Sequence, residues 1–374
     1  MHIVVASHAM ALEENRARWR ALVDRQPDAR VTLLVPRRWT SHWFGQPRTW
    51  TPAPEQADRW QVIPLPVSDH ARWHRMVFLS PDARLRALQP DLLYVAAEET
   101  TWLLQQLLAY RRCWAPRARL AFFTWNNLGV PLHRWHQRRM WQRVRGAADA
   151  AVAGNADAAG CLRAAGFTRP VLVQTEIGVD PARFQPAPAA ARRDPRFVVG
   201  YAGRLVEAKG IFDLADAVCG LAGDWCLRVV GDGEGRAALQ QRLATAGHAD
   251  RLEWVPEATR EQMAAQFQGM DVLVLPSRTT PTWKEQFGLV LAEAMSCGVP
   301  VIGSSSGAIP EVIGPGGAIF PEGDVAALRA RLAAWMSDPQ GQAGRSARAR
   351  ARAADFSVGH LADAWYAFFQ KVVA

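Results

Sequence analysis

Residues 197–210 read FVVGYAGRLVEAKG. An apolar, β-branched run ends at Gly203, a loop carries Arg204 and Lys209, and a helical pattern takes over at 210–221. Such a run, closed by glycine and followed by helical periodicity, predicts a buried strand feeding a helix. The unit repeats downstream. Strands are expected at 226–230, 271–275 and 299–303, with helices at 235–246, 258–269 and 287–297. It also repeats upstream, with strands at 2–6, 31–35, 91–95, 119–124 and 150–153 and helices at 12–24 and 99–111. That alternation is the pattern of an α/β protein with parallel sheets.

QPAPAAARRDP at 185–195 interrupts the alternation as a linker would. The expected organisation is therefore two doubly wound, Rossmann-like domains, at 1–185 and 197–355, joined by a linker at 186–196. A last helix at 356–374 is expected to pack back on the first domain. Ligands are expected where the carboxyl ends of the strands face a cleft. Residues 39–61 hold four Trp and show no strand or helix pattern, so they are expected to form a long loop.

A chain of 374 residues, half of them apolar, supports two or three cores. No apolar run is long enough to cross a bilayer, and the opening MHIVVASHAM reads as a strand rather than a signal peptide, which predicts a cytoplasmic protein. The five cysteines are scattered and form no C-x-x-C pair, which predicts buried thiols in a reducing compartment. Residues 1–185 hold 25 Arg and no Lys against 15 acids, whereas the remainder has 19 basic and 20 acidic residues. Of the 16 Trp, 11 lie in that basic first half. An anionic partner, such as membrane headgroups, a lipid-linked phosphate or nucleic acid, would explain the surplus. Plain solvation by arginine would explain it equally.

The stretch 284–295, KEQFGLVLAEAM, is apolar but carries Glu285 and Glu293 eight positions apart. On a helix that spacing spans about 12 Å, roughly a nucleoside plus its diphosphate. The amides of Gly288 and Leu289 at the helix start would bind phosphate. One glutamate could then hold a ribose and the other a sugar. A capping role for Glu285 and an arginine partner for Glu293 would account for them as well. Arg204 and Lys209 are the cations that a diphosphate leaving group needs, in place of a metal. VVGDGEG at 229–235 echoes a dinucleotide fingerprint but lacks its third glycine.

Four ordered segments together resemble the retaining, nucleotide-sugar-dependent glycosyltransferases of family four, which have the GT-B fold. They are TEIGVDPARFQP (175–186), GYAGRLVEAKG (200–210), VVGDGEGRAALQ (229–240) and KEQFGLVLAEAMSCGVPVIGSSSGAIPEVI (284–313), the last similar to the family's E-x7-E motif. The resemblance implies two Rossmann-like domains facing across a cleft and a UDP- or GDP-linked sugar donor, with no metal cofactor. It implies that Arg204 and Lys209 neutralise the diphosphate, with Gly203 ending the strand beside them. It further implies that Gly288 and Leu289 cradle the phosphate, Glu293 holds the ribose and Glu285 the donor sugar. The base would lie near Trp254, Val255 and Pro256. With no protein nucleophile evident, catalysis would be electrostatic positioning.

The first half departs from the family pattern. Its first loop, ASHAMALEENR (6–16), has no glycine, leaving His8 and Asn15 as polar candidates. After the strand at 119–124, where relatives often carry a histidine, FFTWNNLG supplies Trp125, Asn126 and Asn127 as acceptor-side candidates. Trp125 could stack on a sugar or simply pack. In PLHRWHQRRMWQRVRG (131–146), five arginines alternate with Trp135, Met140, Trp141 and Val144. This reads either as an interfacial helix or as an ordinary amphipathic one. His133/His136 and His70/His74 have metal-compatible spacings but lack acidic co-ligands.

The leading expectation is a retaining glycosyltransferase at the inner face of the membrane, acting on a glycan or lipid-linked acceptor in cell-surface biosynthesis. A soluble transferase for a small molecule or sugar phosphate, and a nucleotide-sugar 2-epimerase, are the enzymatic alternatives. A nucleic-acid-binding protein is the non-enzymatic one, although no recognition motif supports it.

Overall fold

The computed structural model describes all residues except 44–45, 80–85 and 189–193. The chain divides into two compact units, Met1–Gly178 with Val358–Ala374, and Val179–Ser357. The division falls at 178/179 and 357/358, not at 185/186 and 355/356, for a visible reason. Val179 donates its amide to the Phe356 carbonyl at 2.8 Å, Phe184 packs against Phe267 with the rings tilted, and Ser296 Oγ donates to the Phe184 carbonyl. Residues 179–185 are thereby held by the second unit. Of the linker expected at 186–196, residues 189–193 lie outside the described residues, and the rest belongs to the second unit.

In the first unit the strands are β1 (His2–Ala6), β2 (Arg30–Pro36), β3 (Trp39–Trp43), β4 (Gln46–Trp50), β5 (Glu55–Gln56), β6 (Trp60–Leu65), β7 (Leu92–Val95), β8 (Arg119–Thr124), β9 (Ala150–Ala153) and β10 (Val171–Val173). Eight of them form one sheet in the order β10-β9-β8-β7-β1-β2-β6-β5, parallel except for β5. The Val, Ile and Leu of the central strands are buried on both faces, as helix-covered parallel strands require. The stretch 39–61, expected to be a loop, instead contributes the antiparallel β3–β4 pair and the start of β6. Trp39 and Trp60 are core residues, and it is their burial that organises this segment.

The helix Val358–Val373 packs on the helix Ala17–Arg25 within this unit. The contact is pinned by Arg18, which is fully buried with its guanidinium 3.9 Å from the Trp365 ring and 3.6 Å from the Glu176 carboxylate.

The second unit carries β11 (Phe197–Ala202), β12 (Trp225–Val230), β13 (Leu252–Val255), β14 (Val272–Leu275), β15 (Val301–Ser304) and β16 (Gly317–Phe320). All pairs are parallel, in the order β13-β12-β11-β14-β15-β16. The chain moves outward from β11 to β13, returns to β11's other side at β14, and moves outward again. That reversal opens a crevice at the carboxyl ends of β11 and β14. In the first unit the reversal lies between β1 and β7.

Candidate active site

The loop after β11 and the segment after β14 bring three polar side chains together. Lys209 Nζ lies 2.8 Å from Glu285 Oε2, and Ser277 Oγ donates to the same oxygen at 2.9 Å. Lys209 also stands 4.6 Å from the centre of the Trp283 ring. Glu285 is only 6% exposed, and a carboxylate is stable there because a cation and a hydroxyl meet it. Gly203 closes β11 with its amide on the Val230 carbonyl, and the exposed Arg204 follows. The Arg204 guanidinium has no carboxylate partner among the described residues.

Glu285 does not lie on the helix that contains Glu293. That helix runs Leu289–Ser296, two residues shorter at its start than expected, because Gly288 adopts a left-handed conformation with φ 80°. The spacing of the two glutamates is therefore not a helical rise. Glu285 is placed by its backbone instead, its carbonyl accepting the Ala308 amide at 3.0 Å. Gly307 makes this approach possible, since a Cβ there would lie 2.1 Å from the Glu285 carbonyl oxygen. The amides of Gly288 and Leu289 have no protein acceptor among the described residues, which leaves the helix start open to an anion.

Glu293 lies one turn into the helix and is 6% exposed. Burial pushes its carboxyl up to about 7, against the pull of Arg260, 4.0 Å away, and Arg183. Trp254, Val255 and Pro256 stand at the carboxyl end of β13. Trp254 Nε1 donates to the Gly231 carbonyl at 2.9 Å and the Arg236 guanidinium covers its ring. The Val255 carbonyl accepts the Gly231 amide, and Pro256 is exposed.

In the first unit the acceptor-side candidates follow the carboxyl ends of two strands, β1 and β8, which flank β7 in the sheet. His8 is half-buried, its ring 4.9 Å from Trp39 and 6.1 Å from Trp73. Burial lowers its pKa to about 4, so it is neutral at pH 7. Asn15 Nδ2 donates to the Ala9 carbonyl and serves its own loop. Trp125 is half-buried and packs edge-on against Phe123 and over Gly154. Asn126 Nδ2 is used by the Gly129 carbonyl at 2.7 Å, and Asn127 is buried.

Residues 186–354 match the family described as Glycosyl transferases group 1, nearly the whole second unit. Over 216 residues the chain is 33% identical to the lipopolysaccharide core biosynthesis mannosyltransferase LpsB of Rhizobium meliloti, covering 52% of this chain and 60% of the relative. Over 177 residues it is 33% identical to a GDP-mannose-dependent alpha-(1-6)-phosphatidylinositol monomannoside mannosyltransferase of Mycolicibacterium smegmatis, covering 44% and 46%. The chain spans about half the length of the curated relatives it matches. Among solved structures, Anabaena HepE in complex with UDP and glucose superposes over 99% of this chain and 100% of that one, with TM-score 0.70 at 18% identity. The fold is GT-B.

Within this GT-B chain, several site residues carry no sequence signal of their own. Ser277, Trp283 and Glu285 share the segment after β14, and Lys209 meets them only because β11 lies beside β14. Arg260 and Arg183 approach Glu293 from a neighbouring helix and from the segment entering the unit. Glu98 and Glu99 follow β7 after Ala96 and Ala97, and two adjacent acids just past an apolar strand were a legible sign. Burial raises the Glu98 carboxyl to about 7, with the Glu99 charge adding to it. Glu99 is fully buried and also pushed up by burial, with Thr124 and Asn126 close enough to ease the cost.

Among the described residues one group has metal-ligand geometry, Asp194, Cys226 and Glu253. The Arg196 guanidinium bridges its two carboxylates at 2.5 and 2.7 Å, which opposes a cation there. Cys226 and Cys297 are buried, whereas Cys113 is exposed, so the thiols are not uniformly interior.

Of the apolar residues on the arginine-rich helix Trp135–Ala147, Met140, Trp141 and Val144 face the core, and Trp141 Nε1 donates to the Ala165 carbonyl. Only Trp135, 70% exposed with Arg139 over its ring, could meet an interface. Among the described residues no helix is long and apolar enough to cross a membrane.

Proposed function

We propose that the protein is a retaining glycosyltransferase. It takes a sugar from a nucleoside diphosphate donor and gives it to a glycan or lipid-linked acceptor in cell-surface polysaccharide or glycolipid synthesis. The observation that carries this reading is the Lys209–Glu285–Ser277 cluster beside Arg204, at the strand-order reversal of the second unit. The family match across that unit, and relatives named for lipopolysaccharide and phosphatidylinositol mannoside synthesis, point the same way.

In this reading the second unit binds the donor. Arg204, Lys209 and the amides of Gly288 and Leu289 receive the diphosphate, whose charge grows as the sugar leaves. These donors are fixed before the reaction, which is where such sites draw their advantage. Lys209 exchanges part of its contact with Glu285 for phosphate. The released Glu285 carboxylate then accepts sugar hydroxyls while Ser277 keeps it oriented. Glu293 accepts the ribose diol, and the base rests against the end of β13. Acceptor attack on the face vacated by the nucleotide retains the anomeric configuration without a protein nucleophile. Arg204 and Lys209 supply the cations, so no metal is assigned. The first unit takes the acceptor. Its basic helix and Trp135 meet an anionic bilayer at the cytoplasmic face.

Thermal shift with UDP, GDP and ADP, followed by the corresponding sugars, identifies the donor. A donor must then be turned over in the presence of a glycan or lipid-linked acceptor. A nucleotide sugar that yields its epimer without acceptor would replace this reading with the epimerase.

A further inference from the structure

The first unit contains a cavity of about 780 Å³ walled by residues 73–77, by 98–102 after β7, and by 131–140 at the start of the helix Trp135–Ala147. This is drug- or disaccharide-sized space. Its walls are fastened. Gln106 holds the Phe78 backbone from both sides, accepting its amide at 2.9 Å and donating to its carbonyl at 2.8 Å. Trp102 donates its amide to the His74 carbonyl, and Gln105 ties the two helices through the Met140 carbonyl. The half-buried His8 ring backs Trp73, their centres 6.1 Å apart.

The lining is chemically mixed in a specific way. Trp73 and Trp102 are 38% and 53% exposed, large ring faces left uncovered. Arg75 and Arg134 line the same space, and neither guanidinium has a carboxylate partner among the described residues. The helices Trp102–Trp114 and Trp135–Ala147 both begin at the cavity, adding the positive ends of two dipoles. Glu98 is the one carboxyl in the lining. With its pKa near 7 it presents a proton to a ligand oxygen about half the time at neutral pH, so it does not cancel the arginines. Ring faces suit the apolar side of a sugar, and paired guanidiniums suit phosphate.

The geometry points to a phosphorylated sugar as the occupant of this cavity, stacked on Trp73 and Trp102 with its phosphate on Arg75 and Arg134. Identifying that occupant as the acceptor rests on the transferase reading above. The phosphate can belong to a soluble sugar phosphate or to a sugar on a lipid diphosphate.

The test is direct binding by calorimetry to the full chain. The probes are glucose, glucose 6-phosphate, and glucose on a polyprenyl diphosphate held in zwitterionic nanodiscs. At least one phosphorylated probe is expected to bind tenfold or more tighter than glucose, and which one does so assigns the source. Arg75→Ala and Arg134→Ala should each remove most of that margin, and Arg75→Lys should keep part of it. Lys209→Ala should leave it intact, since the diphosphate site of the second unit is not involved. Equal affinity for glucose and both phosphorylated probes, or a full margin in both arginine variants, overturns the inference. A protein that binds the phosphosugar in this way yet hydrolyses no UDP-, GDP- or ADP-sugar keeps the cavity assignment and overturns the transferase reading. Donor hydrolysis without any phosphosugar preference does the reverse.

Discussion

Replacing Glu293 with Gln separates what that carboxyl does for stability from what it does for binding. In the unfolded chain it titrates near 4.5, and in the folded protein burial holds it at about 7 despite Arg260 and Arg183. Between those values the folded state binds more protons than the unfolded one, so stability falls as pH rises from about 4.5 to 7 and stays lowered above. At roughly 1.4 kcal/mol per pH decade, the loss is about 3 kcal/mol. Glutamine has nearly the same shape and cannot ionise. Glu293→Gln should therefore match wild type near pH 4.5 and exceed it by about 3 kcal/mol at pH 8. In a unit of this size that is roughly 6 °C or more in Tm. Urea unfolding of both proteins at pH 4.5, 6 and 8 reads the difference directly. Glu98, which burial also raises, is common to both proteins and cancels in the comparison.

The same variant should bind the nucleoside diphosphate more weakly, and it should lose the preference for the ribose form over its 2′-deoxy analogue. A stability gap that does not grow with pH would refute the burial argument. An undiminished preference for the ribose form would refute the ribose assignment and leave the burial argument standing.

Lys209→Ala, like Glu285→Ala, should lower transfer by roughly 100-fold or more with the fold retained by circular dichroism, as loss of one fixed charge donor does elsewhere; wild-type turnover in either would remove the cluster from the mechanism. Gly307→Ala removes no functional group, yet its Cβ would collide with the Glu285 carbonyl oxygen at a φ of +51°. It should cost about 1 kcal/mol or more and disable transfer, and an unchanged kcat would show that Glu285 tolerates displacement. Arg18→Ala strands the buried Glu176 carboxyl and empties the space over Trp365, so it should cost about 3–5 kcal/mol and expose the last helix to protease; wild-type protection would refute the pin. Flotation with anionic vesicles should fall at high salt and with Trp135→Ala plus Arg138→Gln and Arg139→Gln. Wild-type protein that stays at the bottom of the gradient at low salt would end the membrane reading.

Most of the fold was legible because parallel strands are buried on both faces and announce themselves as apolar runs, as 197–202 and 119–124 do. What escaped were elements whose formation depends on partners far along the chain. β13 and β16 are short edge-side strands, half-buried and without a strong pattern, and they exist because β12 and β15 offer them a ladder. The 39–61 stretch looked structureless because Pro and Gly punctuate it, whereas burial of Trp39 and Trp60 organises it. In the site, Lys209 and Glu285 were readable as local patterns, while Ser277, 68 positions beyond Lys209, becomes their neighbour only through strand order. The helix start moved from 287 to Leu289 because a left-handed Gly288 makes the helix begin two residues later than the apolar run suggests.

Four glutamates at the carboxyl ends of these two sheets share one property. Glu99, Glu285 and Glu293 are buried and Glu98 is half-buried, in positions where an ionised carboxyl is costly without partners. A fold gains nothing from such groups unless a partner meets them. Glu285 has a close lysine and a hydroxyl within hydrogen-bonding distance in the free protein; Glu293 has an arginine at the limit of an ion pair, and burial holds Glu98 and Glu99 toward their protonated forms, with Thr124 and Asn126 near Glu99. Carbohydrate hydroxyls suit such groups, being neutral and able to donate. The pattern thus links the two units by chemistry alone. Each keeps a destabilising carboxyl at the point where its strand order reverses, and each carboxyl would be relieved by a polyol. Filling either site should raise the apparent stability of its own unit, and the shift should be larger above pH 7, where Glu98 and Glu293, both held at about 7, are ionised and the relief is greatest.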